Sequence, residues 1–155
     1  MPREKLQTKS IQILTAVVSA KSGISGIGVV APTVSSDRIR SIHEQDSGSS
    51  DYLHFKAVLR ALQLGKILNS RNISVLCPDE KTVRVVNREE PLELGSPLVP
   101  LYIKIRALIY TYGTAEVLAV PKSRIGPARR LAVSAMRDAM NKIEESELGS
   151  EIVRH

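Results

Sequence analysis

Asp79, His54 and Cys77 are the side chains whose type and setting could carry chemistry, and each also admits a plainer reading. Asp79 follows Pro78 at the end of a short apolar run, where a carboxylate serves well as a helix N-cap. His54 shares a helical face with Val58, Ala61 and Leu62. It could act as a general base near neutral pH, or simply fill a partly buried position. Cys77 lies in the apolar stretch Ile73-Ser-Val-Leu-Cys and reads as a small hydrophobe, because no activating base is evident. Lys122, Arg124, Arg129, Arg130 and Arg137 form the densest basic cluster, with no acid before Asp138. Such residues either contact phosphates, without sequence preference and with strong salt dependence, or form a solvated helix start. Arg38, Arg40, Lys104 and Arg106 are a more dispersed set, equally consistent with protection of a sheet edge. Gly23, Gly26 and Gly28 are not a phosphate loop, since strand–turn–strand patterning surrounds them and no helical lysine follows.

The elements that must position these residues follow from periodicity. Ile11-Gln-Ile-Leu-Thr-Ala-Val-Val and Ile27-Gly-Val-Val read as strands rich in β-branched residues, and Arg38-Ile-Arg-Ser-Ile-His alternates as a half-exposed third strand. Short connections make these three an antiparallel meander. Ser50 or Asp51 is the expected cap of a helix running to about Ser70. There follow a buried strand over Ile73–Cys77, a short helix from Asp79 to Val86, a helix over Leu98–Tyr112 and a strand over Glu116–Val120. From Gly126, apolar residues at 128, 131, 132, 135, 136, 139, 140 and 143 make an amphipathic stripe, with Pro127 suited to the first turn. The order β-β-β-α-β-α-α-β-α implies an α/β domain with a mixed sheet flanked by helices. We expect residues 1–10 to be a flexible lead, 11–143 to be one domain, and 144–155 to be a fraying acidic tail.

The 155 residues match one core of ordinary size. Twenty-two Lys and Arg against sixteen Asp and Glu give a net charge of +6. A single cysteine excludes an internal disulfide and a cysteine zinc cage. No stretch approaches a membrane span, and the charged start leads into alternating residues rather than an apolar leader, so a cytoplasmic protein is expected. Four Tyr, one Phe and no Trp argue against single-strand binding by successive ring stacking.

Several local patterns in this order resemble the ribonuclease H-like family, which includes the ribonuclease H domain of reverse transcriptases. Val120-Pro-Lys-Ser-Arg-Ile-Gly-Pro-Ala-Arg-Arg-Leu-Ala-Val-Ser-Ala resembles its last strand and helix, with Ala128, Leu131, Ala132 and Ala135 in step. Ala57, Ala61 and Leu62 resemble its first long helix, Val75-Leu-Cys-Pro-Asp79 its strand ending in an acid, and Gly26-Ile-Gly28 a glycine pair on its second strand. The resemblance runs from about residue 11 to 140 and implies a five-stranded mixed sheet. It also implies four carboxylates holding two divalent cations that cleave the RNA strand of an RNA–DNA hybrid.

Only one of those four is found. Thr15 to Val17 occupy the stretch of the first, His54 falls at the second, Asp79 is the third, and Arg129 falls at the fourth, preceded by Ile125 in place of an Asn. Two-metal hydrolysis needs cations about 4 Å apart on hard oxygen ligands. A guanidinium about 5 Å from a cation adds a repulsion of about 3 kcal/mol at an effective dielectric of 20. Arg129 could instead pair with Asp79. Asp51, Glu80 and Asp138 are the acids available to a rearranged site, but Asp138 lies nine residues past Arg129, about 13 Å along a helix axis. The expectation is therefore a domain without catalysis, cofactor or metal, magnesium or manganese entering only if residual nuclease activity exists. It would bind nucleic acid through Lys122, Arg124, Arg129 and Arg130. The alternative is a protein-interaction or self-assembly module, with a docking strip at Leu92–Leu101 that includes Pro91, Pro97 and Pro100.

Overall fold

In the computed structural model, residues 10–154 are described, with side chains through residue 146. The flexible lead expected at 1–10 falls almost wholly outside the described residues. Five strands, β1 (Ile11–Ser19), β2 (Ser25–Val30), β3 (Ser41–Asp46), β4 (Asn72–Cys77) and β5 (Thr114–Ala119), form one sheet in the order β3-β2-β1-β4-β5. The β1–β2 and β2–β3 pairs are antiparallel; β1–β4 and β4–β5 are parallel. Four helices accompany them: α1 (Ser50–Ile67), α2 (Glu80–Val86), α3 (Val99–Ile109) and α4 (Gly126–Arg154). The α/β order and the mixed five-stranded sheet are those expected from the sequence.

Alternation along the strands builds a core on each face of the sheet. Ile13, Val29, Ile73, Val75 and Val117 pack with α1, α2 and α3, whereas Leu14, Ala16, Val30 and Leu76 pack with Ile125, Ala128 and Ala132 at the start of α4. The α4 stripe is made of small residues because β2 meets it with glycines. A Cβ on Gly26 would fall inside contact distance of the Ala132 carbonyl oxygen, and one on Gly28 would collide with that of Ala128. The helix therefore rests almost directly on the β2 backbone.

Two boundaries differ from expectation. The third strand begins at Ser41 and extends through Asp46, not over Arg38–His43, because its ladder with β2 starts at the Val30–Ser41 pair. Arg38 and Arg40 precede it and donate to the carbonyls of Leu68, 2.9 Å away, and Val34, 3.1 Å away. They tie down the end of α1 and a loop rather than guarding an edge. The cap of α1 is Ser49, whose hydroxyl accepts from the Tyr52 amide at 3.1 Å, so Ser50 and Asp51 lie one step inside the helix. At the other end of the chain, α4 continues to Arg154 without a break at residue 143.

Candidate functional site

Asp79, Cys77, Thr15, His54 and Lys122 come together where β4 ends, beside β1 and the first turns of α1. Thr15 is fully buried and its hydroxyl donates to the Leu76 carbonyl at 3.0 Å, locking β1 to β4. Cys77 is buried, and loss of solvation pushes its thiol up to about 11, so it is a neutral packing group at pH 7. Asp79 caps α2: its Oδ2 accepts from the Thr82 amide at 3.1 Å and from the Thr82 hydroxyl at 2.6 Å. Burial alone would raise its pKa, but the Thr82 hydrogen bonds, then the charges of His54 and Lys81, hold it below the ordinary carboxylate value. Asp79→Ala should remove this cap and cost about 1 kcal/mol of stability. Urea unfolding checks this, and a variant as stable as the parent would contradict the assignment.

His54 faces the same cluster from α1. Its Nδ1 is buried without a hydrogen-bond partner. Burial lowers its pKa from 6.5, outweighing the upward pull of Asp79 and Asp51, and Lys122 adds to the lowering. Because the folded value lies below the unfolded one, the unfolded chain binds more protons between them, and stability falls as pH drops below about 6.5. His54→Gln should flatten the unfolding free energy between pH 7 and pH 5.5. An unchanged slope would place the titrating group elsewhere.

The basic residues follow directly. After β5, Pro121 leads into a 3-10 turn, Lys122–Arg124, which delivers the chain to α4. Lys122, Arg124, Arg129, Arg130 and Arg137 are all exposed. The ion pairs among the described residues, Lys56–Asp46, Arg60–Glu44, Lys81–Asp51 and Arg84–Glu80, involve none of them. Arg129 forms no ion pair with Asp79, so that expected pairing is not made. Arg129, Arg130 and Arg137 instead line a groove of about 460 Å³ on the outer side of α4 with Val133, Ser134, Asp138 and Asn141.

The other acids do not gather around Asp79. Asp51 pairs with Lys81 at 3.3 Å, Glu80 pairs with Arg84 at 3.7 Å, and Asp138 lies in the outer groove of α4. Among the described residues no cluster of three His, Cys, Asp or Glu is arranged to hold a metal ion. Sequence reasoning placed the cap and the basic stretch; the charge of Lys122 reaches His54. That neighbour comes from a different element, and no local pattern announces it.

A mixed sheet in the order β3-β2-β1-β4-β5, with one acid at the end of β4 and a helix start beside it, defines a ribonuclease H-like domain. The chain belongs to the reverse transcriptase-like family, whose sequence profile matches residues 14–135. Comparison with curated protein sequences finds no significant match. Among solved structures it is similar to the N-terminal RNase H domain of rv2228c from Mycobacterium tuberculosis, with 20% identity, a TM-score of 0.72, and coverage of 86% of this chain and 99% of that one. RNase H1 from Halobacterium salinarum gives 16% identity and a TM-score of 0.71, covering 84% of this chain and 99% of the other. LC11-RNase H1, solved in complex with an RNA/DNA hybrid, gives 18% identity and a TM-score of 0.72 with the same coverages. Among the described residues no helix is long and apolar enough to cross a membrane.

Proposed function

We propose that this ribonuclease H-like domain binds RNA–DNA hybrid or duplex nucleic acid through Lys122, Arg124, Arg129 and Arg130 and does not cleave it. The observation that carries the reading is the composition of the four positions where the family resemblance requires carboxylates. Thr15 to Val17, none of them an acid, fill the stretch of the first, with Thr15 bonded to β4; His54 is held toward its neutral form, Arg129 is a cation, and Asp79 is engaged in capping α2. A pair of magnesium ions does not fit this donor set, because Asp79 alone would have to offset their mutual repulsion beside Lys122. Five exposed cations, none in an ion pair among the described residues, leave a positive surface suited to phosphates. The binding of RNA/DNA hybrid by LC11-RNase H1 favours a hybrid as the ligand to try first.

The test is fluorescence anisotropy with a labelled RNA–DNA hybrid and magnesium at two salt concentrations, with a gel of the same samples. Salt-sensitive binding with an intact RNA strand is the expected outcome. Manganese-dependent cleavage lost in Asp79→Ala would overturn the absence of catalysis, and no binding at low salt would remove the nucleic-acid role.

A second reading, a module that pairs with a protein, rests on the Leu92–Leu101 segment. Leu92, Leu98 and Leu101 pack against the main core, so much of the expected strip is already used. Leu94 remains 97% exposed beside a cavity of about 450 Å³ lined by Pro91, Leu92, Val99 and Tyr102. Concentration-dependent mass at physiological salt would favour this reading, and a strict monomer would count against it.

A further inference from the structure

Arg88, Arg106 and Tyr110 meet on the surface at the end of the sheet away from Lys122–Arg130. Arg88 Nη2 donates to the Tyr110 hydroxyl oxygen at 2.5 Å, and Arg106 Nη2 approaches the same oxygen at 3.4 Å. Both guanidiniums lie near the ring, 5.9 and 5.3 Å from its centroid. Neither arginine makes an ion pair with a carboxylate among the described residues. Two cations brought to one neutral oxygen repel each other, and no carboxylate among the described residues lies within ion-pair distance of either.

Each member is also held in place. Arg106 Nη1 donates to the Val86 carbonyl at 3.0 Å, while its Nε is buried with no partner. Arg88 sits just past α2 with φ of 63°, a left-handed position that ordinarily favours glycine. Its amide donates to the Val85 carbonyl, and that of Glu89 to the Arg84 carbonyl, closing the helix end. An arginine at such a position accepts backbone strain and aims a long cationic side chain across α3. Tyr110 is 66% exposed. Since the arginine contacts use the lone pairs of its oxygen, its own O–H proton is free to donate outward.

We infer that Arg88, Arg106 and Tyr110 form a binding site for a phosphate group. Two guanidiniums and a phenol O–H supply several convergent donors for a tetrahedral anion, and guanidinium forks match phosphate oxygens well. The site is separate from the basic stretch after β5. Tyr110 comes just before β5 and Lys122 just after it, so the strand lies between the two along the chain. The two arginines already draw the Tyr110 hydroxyl toward ionisation, Arg106 by its hydrogen bond first and Arg88 by its charge next. A bound dianion reverses that pull, which gives the site a spectroscopic signature.

The experiment follows the Tyr110 ring by NMR in tyrosine-labelled protein, with Tyr110→Phe assigning the signal. Inorganic phosphate is titrated at pH 7.5 against sodium chloride of matched ionic strength. Phosphate should shift the signal saturably, with a Kd on the order of millimolar, and chloride should not. Arg88→Ala should weaken binding about five-fold or more, and Arg106→Lys should do likewise while keeping a cation in case loss of the Val86 contact harms folding. A shift that is linear, or the same in chloride, would overturn the site, as would unchanged affinity in both variants. The source of the phosphate is then read from hybrid binding by Arg88→Ala. Unchanged hybrid affinity assigns the site to a free phosphate or phosphomonoester. A loss matching that for inorganic phosphate assigns it to the nucleic-acid backbone.

Discussion

Gly26→Ala and Gly28→Ala are each expected to destabilise the domain by about 3 kcal/mol, the upper end of the cost of overpacking a well-filled interface. The added methyl would meet the carbonyl oxygens of Ala132 and Ala128, which belong to helix backbone and cannot rotate away as a side-chain end could. Relief requires α4 as a whole to lift from β2. Since Ala128, Ala132, Ala135 and Ala139 are buried along that contact, the lift would also uncover apolar surface. A loss of this size in a chain of this length corresponds to about a 10 °C fall in Tm. Gly95→Ala is the control: no atom lies within 4 Å of its added Cβ, and its stability should stay within about 0.5 kcal/mol of the parent. Urea unfolding of the three variants decides the matter. A loss below about 1 kcal/mol at both β2 positions would mean that α4 sits further from the sheet than described. The consequence reaches the surface too, because α4 carries Arg129 and Arg130.

Replacing Lys122, Arg124, Arg129 and Arg130 together by alanine is expected to weaken hybrid binding about 100-fold at low salt. Each phosphate contact contributes nearly one unit to the slope of log affinity against log salt, so that slope should fall by about 3 to 4. All four side chains are exposed and none takes part in the ion pairs among the described residues, so folding should be unaffected. Lys104→Ala, an exposed cation elsewhere on the surface, serves as the control and should leave the slope within one unit. The slope is the stricter readout, since it counts phosphate contacts directly. A quadruple variant that keeps the parental slope would remove these residues from the interface, even if affinity changed.

Much of the architecture could be read from local pattern. The β-branched run of β1, the i, i+3, i+4 stripe of α4 and the capping position of Asp79 depend on neighbours a few residues away, so the chain itself displays them. The mixed five-stranded sheet followed from these elements. Cys77 as a buried packing group was legible for the same reason: an apolar strand gives a thiol no activating base.

What only the tertiary structure decided are pairings between distant segments. The start of β3 is set by where β2 stops offering partners, so Arg38 and Arg40, which alternate like strand residues, are diverted to Leu68 and Val34. Arg129, one turn into α4, turns to solvent while the Asp79 carboxylate is satisfied by Thr82 three residues on. Arg88 meets Tyr110 across twenty-two residues because α2 and α3 end side by side. Sequence periodicity specifies which face of an element is apolar, and burial enforces it. A polar side chain on the other face chooses among whatever donors and acceptors folding brings within about 3 Å, and that choice is made only once the elements are packed.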